Sequence, residues 1–240
     1  MNGEVRPLGW GRFLLQFVTV LFVYIFASVP PVLIFGMDSS LGLALSTVTS
    51  MIAGLFVAWL WLRSDRAVAA AWDFSAPASW SRTLGVAAMA AIAVLVWFQL
   101  GAWLTSAVGL PKMEAEAVLK HVTSSPLDLA LWVIAVGWFA AGLGEEMLWR
   151  GFLLDRFSRL AGLRNRVWLP IILQAAVFGL PHAYEGGASG IIVTGTIGLF
   201  FGWLRLQQRG NLWALVIAHA AVDTISMVAA YVTKVYGLGG

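Results

Sequence analysis

Apolar runs of about twenty residues recur along this chain, and no other feature constrains its fold as strongly. A helix needs about 20 mostly apolar residues to cross the hydrocarbon core of a bilayer. Helices that satisfy their own backbone groups are among the few structures that can do so. Seven such segments can be laid out, at 13–35, 41–62, 84–110, 127–148 with a polar continuation, 167–183, 189–206 and 212–235. With 60% of 240 residues hydrophobic and 11% charged, the balance is far from that of a soluble domain. The expected fold class is all-α, a polytopic membrane helical bundle of about seven transmembrane helices (seven to eight). It forms one domain over 1–240, with N-terminal helices in 1–110 and the polar motifs in 127–240.

The few charges set the orientation. If the N-terminus is cytoplasmic, that side holds Arg6, Arg12, Arg63, Arg66, Arg82, Arg150, Arg156, Arg159, Arg164, Arg166, Arg205 and Arg209. The other side keeps only Lys112, Lys120 and Lys234, a strong positive-inside asymmetry that also supports the span count. The basic N-terminus followed by an apolar run resembles a signal peptide, but 13–35 is as long as a full span and lacks a clear cleavage site. It is expected to be a retained first helix, kinked or broken at Pro30 and Pro31. The more polar stretch 111–126 is expected to be a loop or a surface helix, and His121 within it a solvated loop residue. With so few exposed charges, the partners expected are the lipid bilayer and no nucleic acid. Zero cysteines remove disulfides, thiolate metal sites and thiol nucleophiles, leaving carboxylates, imidazoles, hydroxyls or a bound ion to carry any chemistry.

Against this background Glu145, Glu146, His182, His219 and Asp223 stand inside or at the ends of the last four spans. An ionisable group at membrane depth costs several kcal/mol unless paired or hydrated, so each is a functional candidate by default. The plainer reading is that they hold the bundle together by interhelical hydrogen bonds or lie in the interface. Spacing argues for more. Glu146 and Arg150 are four apart, on one helical face, so that acid can be neutralised locally while Glu145 points elsewhere. Phe178 stands four before His182 and His219 four before Asp223. Asp223 can fix the tautomer of His219, or both can point at one ligand. Glu145 and His182 are almost equidistant in sequence from the basic turn at 162–165. At about 1.5 Å of rise per residue their side chains are expected at one level on antiparallel helices.

The series EEMLWR (145–150), FGLPH (178–182) and HAAVD (219–223) resembles the three motifs of the CPBP family, membrane-embedded proteases that include the type II CAAX prenyl endopeptidases and bacterial relatives. The resemblance covers the chain from about residue 127 onward and makes 127–240 the catalytic half. It implies an intramembrane endopeptidase acting on a membrane protein or peptide, or on a lipid-anchored one, and an integral protein of a bacterial inner (cytoplasmic) membrane. It implies Glu145 as the base that activates water with His182 assisting, and Glu146 as the partner of Arg150. It also implies His219 and Asp223 as the pair that stabilises the oxyanion or completes a metal site.

Family members are described as both metal-dependent and glutamate-dependent, so two cofactor readings follow. In one, a divalent metal such as Zn²⁺ is held by donors drawn from Glu145, His182, His219 and Asp223 and activates water. In the other there is no cofactor, Glu145 removes the proton and His219 donates to the oxyanion. An ionised Asp223 cannot donate to an oxyanion, so it more readily orients His219 or approaches a cation; the cofactor stays open, with the metal-free version slightly preferred. Two other classes compete. One is an inactive scaffold or chaperone of the same fold, and the other is a proton-coupled transporter, for which no internal repeat is found. The glycines at 186, 187 and 190 are expected to end the fifth helix and loosen the next loop. Trp10, Trp80 and Trp168 are expected to anchor at the interface.

Overall fold

The computed structural model describes residues 7–113 and 116–237, so Arg6 lies outside the described residues. Among these the chain is helical, with two isolated bridges, Leu8 to Leu160 and Asp73 to Asn211, as its only extended pairings. The helices are α1 (Trp10–Phe35), α2 (Ser40–Ser64), the short α3 (Val68–Ala71), α4 (Trp80–Ala107), α5 (Glu116–Val122) and α6 (Pro126–Arg159). Then follow α7 (Trp168–Gly179), a 3₁₀ helix (Leu180–Glu185), α8 (Ala188–Gln207) and α9 (Trp213–Tyr236). Local chemistry sets several starts: the hydroxyls of Ser39, Ser79 and Ser125 accept from the backbone N–H groups of Gly42, Arg82 and Asp128.

Six helices, α1, α2, α4, α6, α8 and α9, are long and apolar enough to cross a membrane. The fifth expected span is different. Its α-helix ends at Gly179, because Pro181 has no N–H to give and its ring crowds the carbonyl of Val177. The path continues as 3₁₀ helix, which rises about 2.0 Å per residue against about 1.5 Å for α. The segment starts beside the end of α6 and finishes near Pro111, whose carbonyl accepts from the Ser189 hydroxyl, so it still traverses the bundle.

The Pro30 and Pro31 pair does not break α1, which runs on to Phe35. Pro31 deprives the Ala27 carbonyl of its helical donor, and the Thr49 hydroxyl of α2 supplies one instead at 2.9 Å. Neighbouring hydroxyls tolerate proline in membrane helices in this way. Most of α1 faces outward, with Leu14, Leu15, Val18, Phe22, Ile25 and Phe26 all exposed, as suits a helix bathed in lipid. Trp10, Trp80 and Trp168, also exposed, stand at helix starts.

The two ends of the bundle differ. At one, Arg12 Nη2 donates to Asp65 Oδ1 (2.6 Å), while Gln16 Nε2 (2.9 Å) and Arg156 Nη1 (2.6 Å) donate to Asp65 Oδ2, tying α1, α2 and α6 together. Arg156 and Arg159 both also reach Asp155. The starts of α4 and α9 join this end, with the Trp80 and Trp213 rings 5.6 Å apart. At the other end Lys120 meets Asp38 (3.3 Å), and Lys234 donates to the Thr123 hydroxyl (3.0 Å). The arginine and lysine groups expected on opposite sides thus occupy opposite ends, with one correction. Arg150 is wholly buried in an ion pair and belongs to neither surface.

His121 corrects a second expectation. It is buried, with its ring stacked parallel on Trp132 at 5.7 Å, because the start of α6 presents that indole to α5.

Candidate active site

The backbone of α6 widens to i→i+5 hydrogen bonding from Trp132 to Leu153, a turn type that recurs at functional sites. The ordinary rise assumed for this stretch therefore does not hold. A wide turn places more residues at each level, and Glu145, Glu146 and Arg150 lie on this wide stretch. Gly142 lets α9 come close, since a Cβ there would stand 2.7 Å from the Ala220 Cβ. That approach brings the preceding residue of α9, His219, into reach of Glu146.

The two adjacent glutamates have different surroundings. Glu146 is fully buried, and its Oε1 accepts from Arg150 Nη1 at 3.0 Å and pairs with His219 Nδ1 at 2.7 Å. Arg150, also fully buried, lays its guanidinium over the Phe178 ring at 4.0 Å and near the Phe201 ring at 5.2 Å. A flat, weakly hydrated cation between two aromatic faces is a favourable cation–π arrangement. Glu145 makes no side-chain hydrogen bond or ion pair among the described residues and is half-buried at the wall of a cavity.

The cavity encloses about 380 Å³. It brings together Glu145, His182, His219 and Asp223, with Arg150 and Phe178 at its inner wall. Glu146, behind Arg150 and His219, supports that wall. His182 Nδ1 lies 3.0 Å from the Phe178 carbonyl and so carries the proton, which leaves Nε2 as an acceptor in the neutral ring. His219 likewise directs its Nδ1–H at an oxygen, here that of the Glu146 carboxylate. Asp223 shares the cavity, but the hydrogen-bond partner of His219 is Glu146, from a different helix. A second, largely apolar pocket of about 270 Å³ lies between α1 and α6, with Tyr24, Trp149 and Phe152 in its lining. Glu145 and His182 line both spaces and form part of the partition between them.

Gly190 does not loosen the chain after His182. It sits inside α8 at a point where a Cβ would collide with the His182 carbonyl, so it lets α8 lie directly against that turn. Gly186 and Gly187, both at positive φ, do end the 3₁₀ turn. Several lining residues belong to no motif. Thr194 contributes a buried hydroxyl with no hydrogen-bond partner among the described residues, and Phe201 closes the inner end. Glu185, three residues after His182, is an acid that the motif spacing passes over.

A zinc site was one expectation for these donors. Among the described residues no group of three or more His, Asp or Glu converges well enough to hold a metal ion. His219 holds Nδ1 on Glu146 and His182 holds Nδ1 on a backbone carbonyl, an arrangement that metal-ligating histidines also show, and the Arg150 cation stands beside Glu146.

The helices and the enclosed acids and imidazoles define an integral membrane protein with an interior polar site. Residues 127–225 match the family described as type II CAAX prenyl endopeptidase Rce1-like, a match that supports the resemblance to the CPBP family of intramembrane proteases. No curated protein and no solved structure matches it.

Proposed function

We propose that this protein hydrolyses a peptide bond of a membrane-associated or lipid-anchored polypeptide, with Glu145 activating the attacking water, and that it works in a bacterial cytoplasmic membrane. The observation that carries the reading is the divergence of the two glutamates. Glu146 is tied to Arg150 and His219, while Glu145 stands at the cavity wall with His182 and has no partner among the described residues.

Peptide hydrolysis needs a base for water, a donor for the carbonyl oxygen and a proton for the leaving amine. In this scheme Glu145 takes a proton from a water that the His182 Nε2 lone pair helps to orient. The water oxygen attacks the carbonyl carbon. In the scheme His219 is an imidazolium, its Nδ1–H held by the Glu146 carboxylate and its Nε2–H directed at the developing oxyanion. Collapse of the intermediate breaks the C–N bond, and Glu145 returns its proton to the amine. Asp223 faces the same space and orients the reacting groups.

The scheme uses no metal. Elemental analysis of purified wild type and of a His219→Ala variant tests that part, and stoichiometric zinc lost in the variant would sink it. The test of the whole is a comparison of polypeptide termini in membranes of cells expressing wild type or Glu145→Gln. New termini present only with wild type support the proposal, and identical sets of termini reject it.

A further inference from the structure

The cavity that holds Glu145 and His182 has a direction. Its inner end is formed by Arg150, Phe178, Phe201 and His219. From there its walls extend to residues close to one end of the bundle. Leu43 lies in the first turn of α2, Trp132 in the second turn of α6, Val118 in α5, and Glu185 at the close of the 3₁₀ helix. This is the end that carries the lysines, where Lys120 meets Asp38 and Lys234 meets Thr123.

The opposite end is stoppered. The segment from α3 to Phe74 folds back across it and is fixed by hydrogen bonds shared with three other elements. Trp72 Nε1 donates to the Met147 carbonyl at 2.8 Å, and Arg205 Nη2 to the carbonyls of Ala70 and Ala71 at 3.1 Å each. The Leu212 N–H reaches the Asp73 carbonyl at 3.0 Å, and Trp213 Nε1 the Phe74 carbonyl at 3.1 Å. Ala67, Ala71, Leu62 and Leu212 are fully buried there.

Charge orients the two ends in a cell. With Arg150 set aside as an interior ion pair, arginines still far outnumber the three lysines, and the basic end of a membrane protein faces the cytoplasm. From these placements we infer that the cavity is reached from the lysine-bearing end, on the extracytoplasmic side. The polypeptide acted on therefore presents its cleavable segment at that face of the membrane. The identity of the occupant as a substrate rests on the endopeptidase reading; the route to the cavity does not.

The absence of native cysteine lets an introduced thiol report alone. Thr47→Cys and Val118→Cys place a thiol on the cavity wall, and Arg164→Cys places one on the exposed arginine end. Each variant is checked for folding by gel filtration, so that misfolding of one cavity variant leaves the other to decide. A membrane-impermeant maleimide is then applied to spheroplasts and to inverted vesicles. The expected result is labelling of both cavity thiols in spheroplasts, its loss in inverted vesicles, and the reverse for Arg164→Cys. Cavity thiols labelled only in inverted vesicles, labelled from neither side, or labelled from the same side as Arg164→Cys would overturn the inference. Labelling needs no catalysis, so the expected pattern together with no Glu145-dependent termini would reject the protease reading and leave the access route standing.

Discussion

The imidazole of His219 and the carboxylate of Glu146 meet at 2.7 Å across two helices, and the same Glu146 oxygen also accepts from Arg150. One buried oxygen thus links two of the three motifs. Its removal strands a buried cation, so Glu146→Leu is expected to lower stability by about 3–5 kcal/mol, whereas Glu146→Leu with Arg150→Leu restores much of that loss. Thermal unfolding in detergent, compared across the two singles and the double, checks this. A double variant as unstable as the singles together would contradict it.

Glu145 behaves oppositely. Since it makes no side-chain hydrogen bond or ion pair among the described residues, Glu145→Gln should leave the melting temperature nearly unchanged. Cleavage should fall by about 10²–10⁴-fold, the usual contribution of a positioned general base. The two quantities measured on one preparation separate this carboxylate from its neighbour.

Thr49 replaces the donor that Pro31 takes from the Ala27 carbonyl. Thr49→Val is expected to cost about 0.6 kcal/mol, a typical value for an interhelical hydrogen bond in a membrane protein. In a Pro31→Ala background, where the backbone N–H returns, the same change should cost less. A double-mutant cycle of unfolding free energies gives the coupling directly.

Asp65 sets the acid limit of the arginine end. Burial pushes its carboxyl up, but hydrogen bonds from Gln16 and Arg12 and the charges of Arg156 and Arg12 outweigh that, so its pKa lies below the ordinary value. A group whose folded pKa is depressed contributes its full stability above the unfolded value of about 3.9 and loses it as pH falls through the folded value. Unfolding followed from neutral to acid pH should therefore show a loss of stability below about pH 4 that is smaller in Asp65→Asn.

The sequence made the spans legible because lipid-facing helices leave an apolar signature that no tertiary contact is needed to produce. The paired positions of Glu146 with Arg150 were legible for a related reason, since four residues on one helix share a face. The partner of His219 was not. Asp223 lies four residues away on the same helix, while Glu146 lies 73 residues away, and only the close approach at Gly142 makes it a neighbour. The shortened fifth helix was hidden in the same way. Leu180, Pro181 and His182 keep the hydropathy of a span while the proline changes its hydrogen bonding. His121 looked solvated because its polarity is visible in the sequence and the indole of Trp132 that covers it is not. Thr194 and Glu185 carry no spacing signal that would mark them as part of the cavity.

The backbone stopper at the arginine end has a pharmacological consequence. With the Ala70 and Ala71 carbonyls held by Arg205 and the Trp72 indole held by Met147, the inner end offers a drug no passage from the cell interior. On the inferred orientation, Glu145 belongs instead to the surface-exposed targets, and a polar inhibitor excluded from the cytoplasm could still reach it.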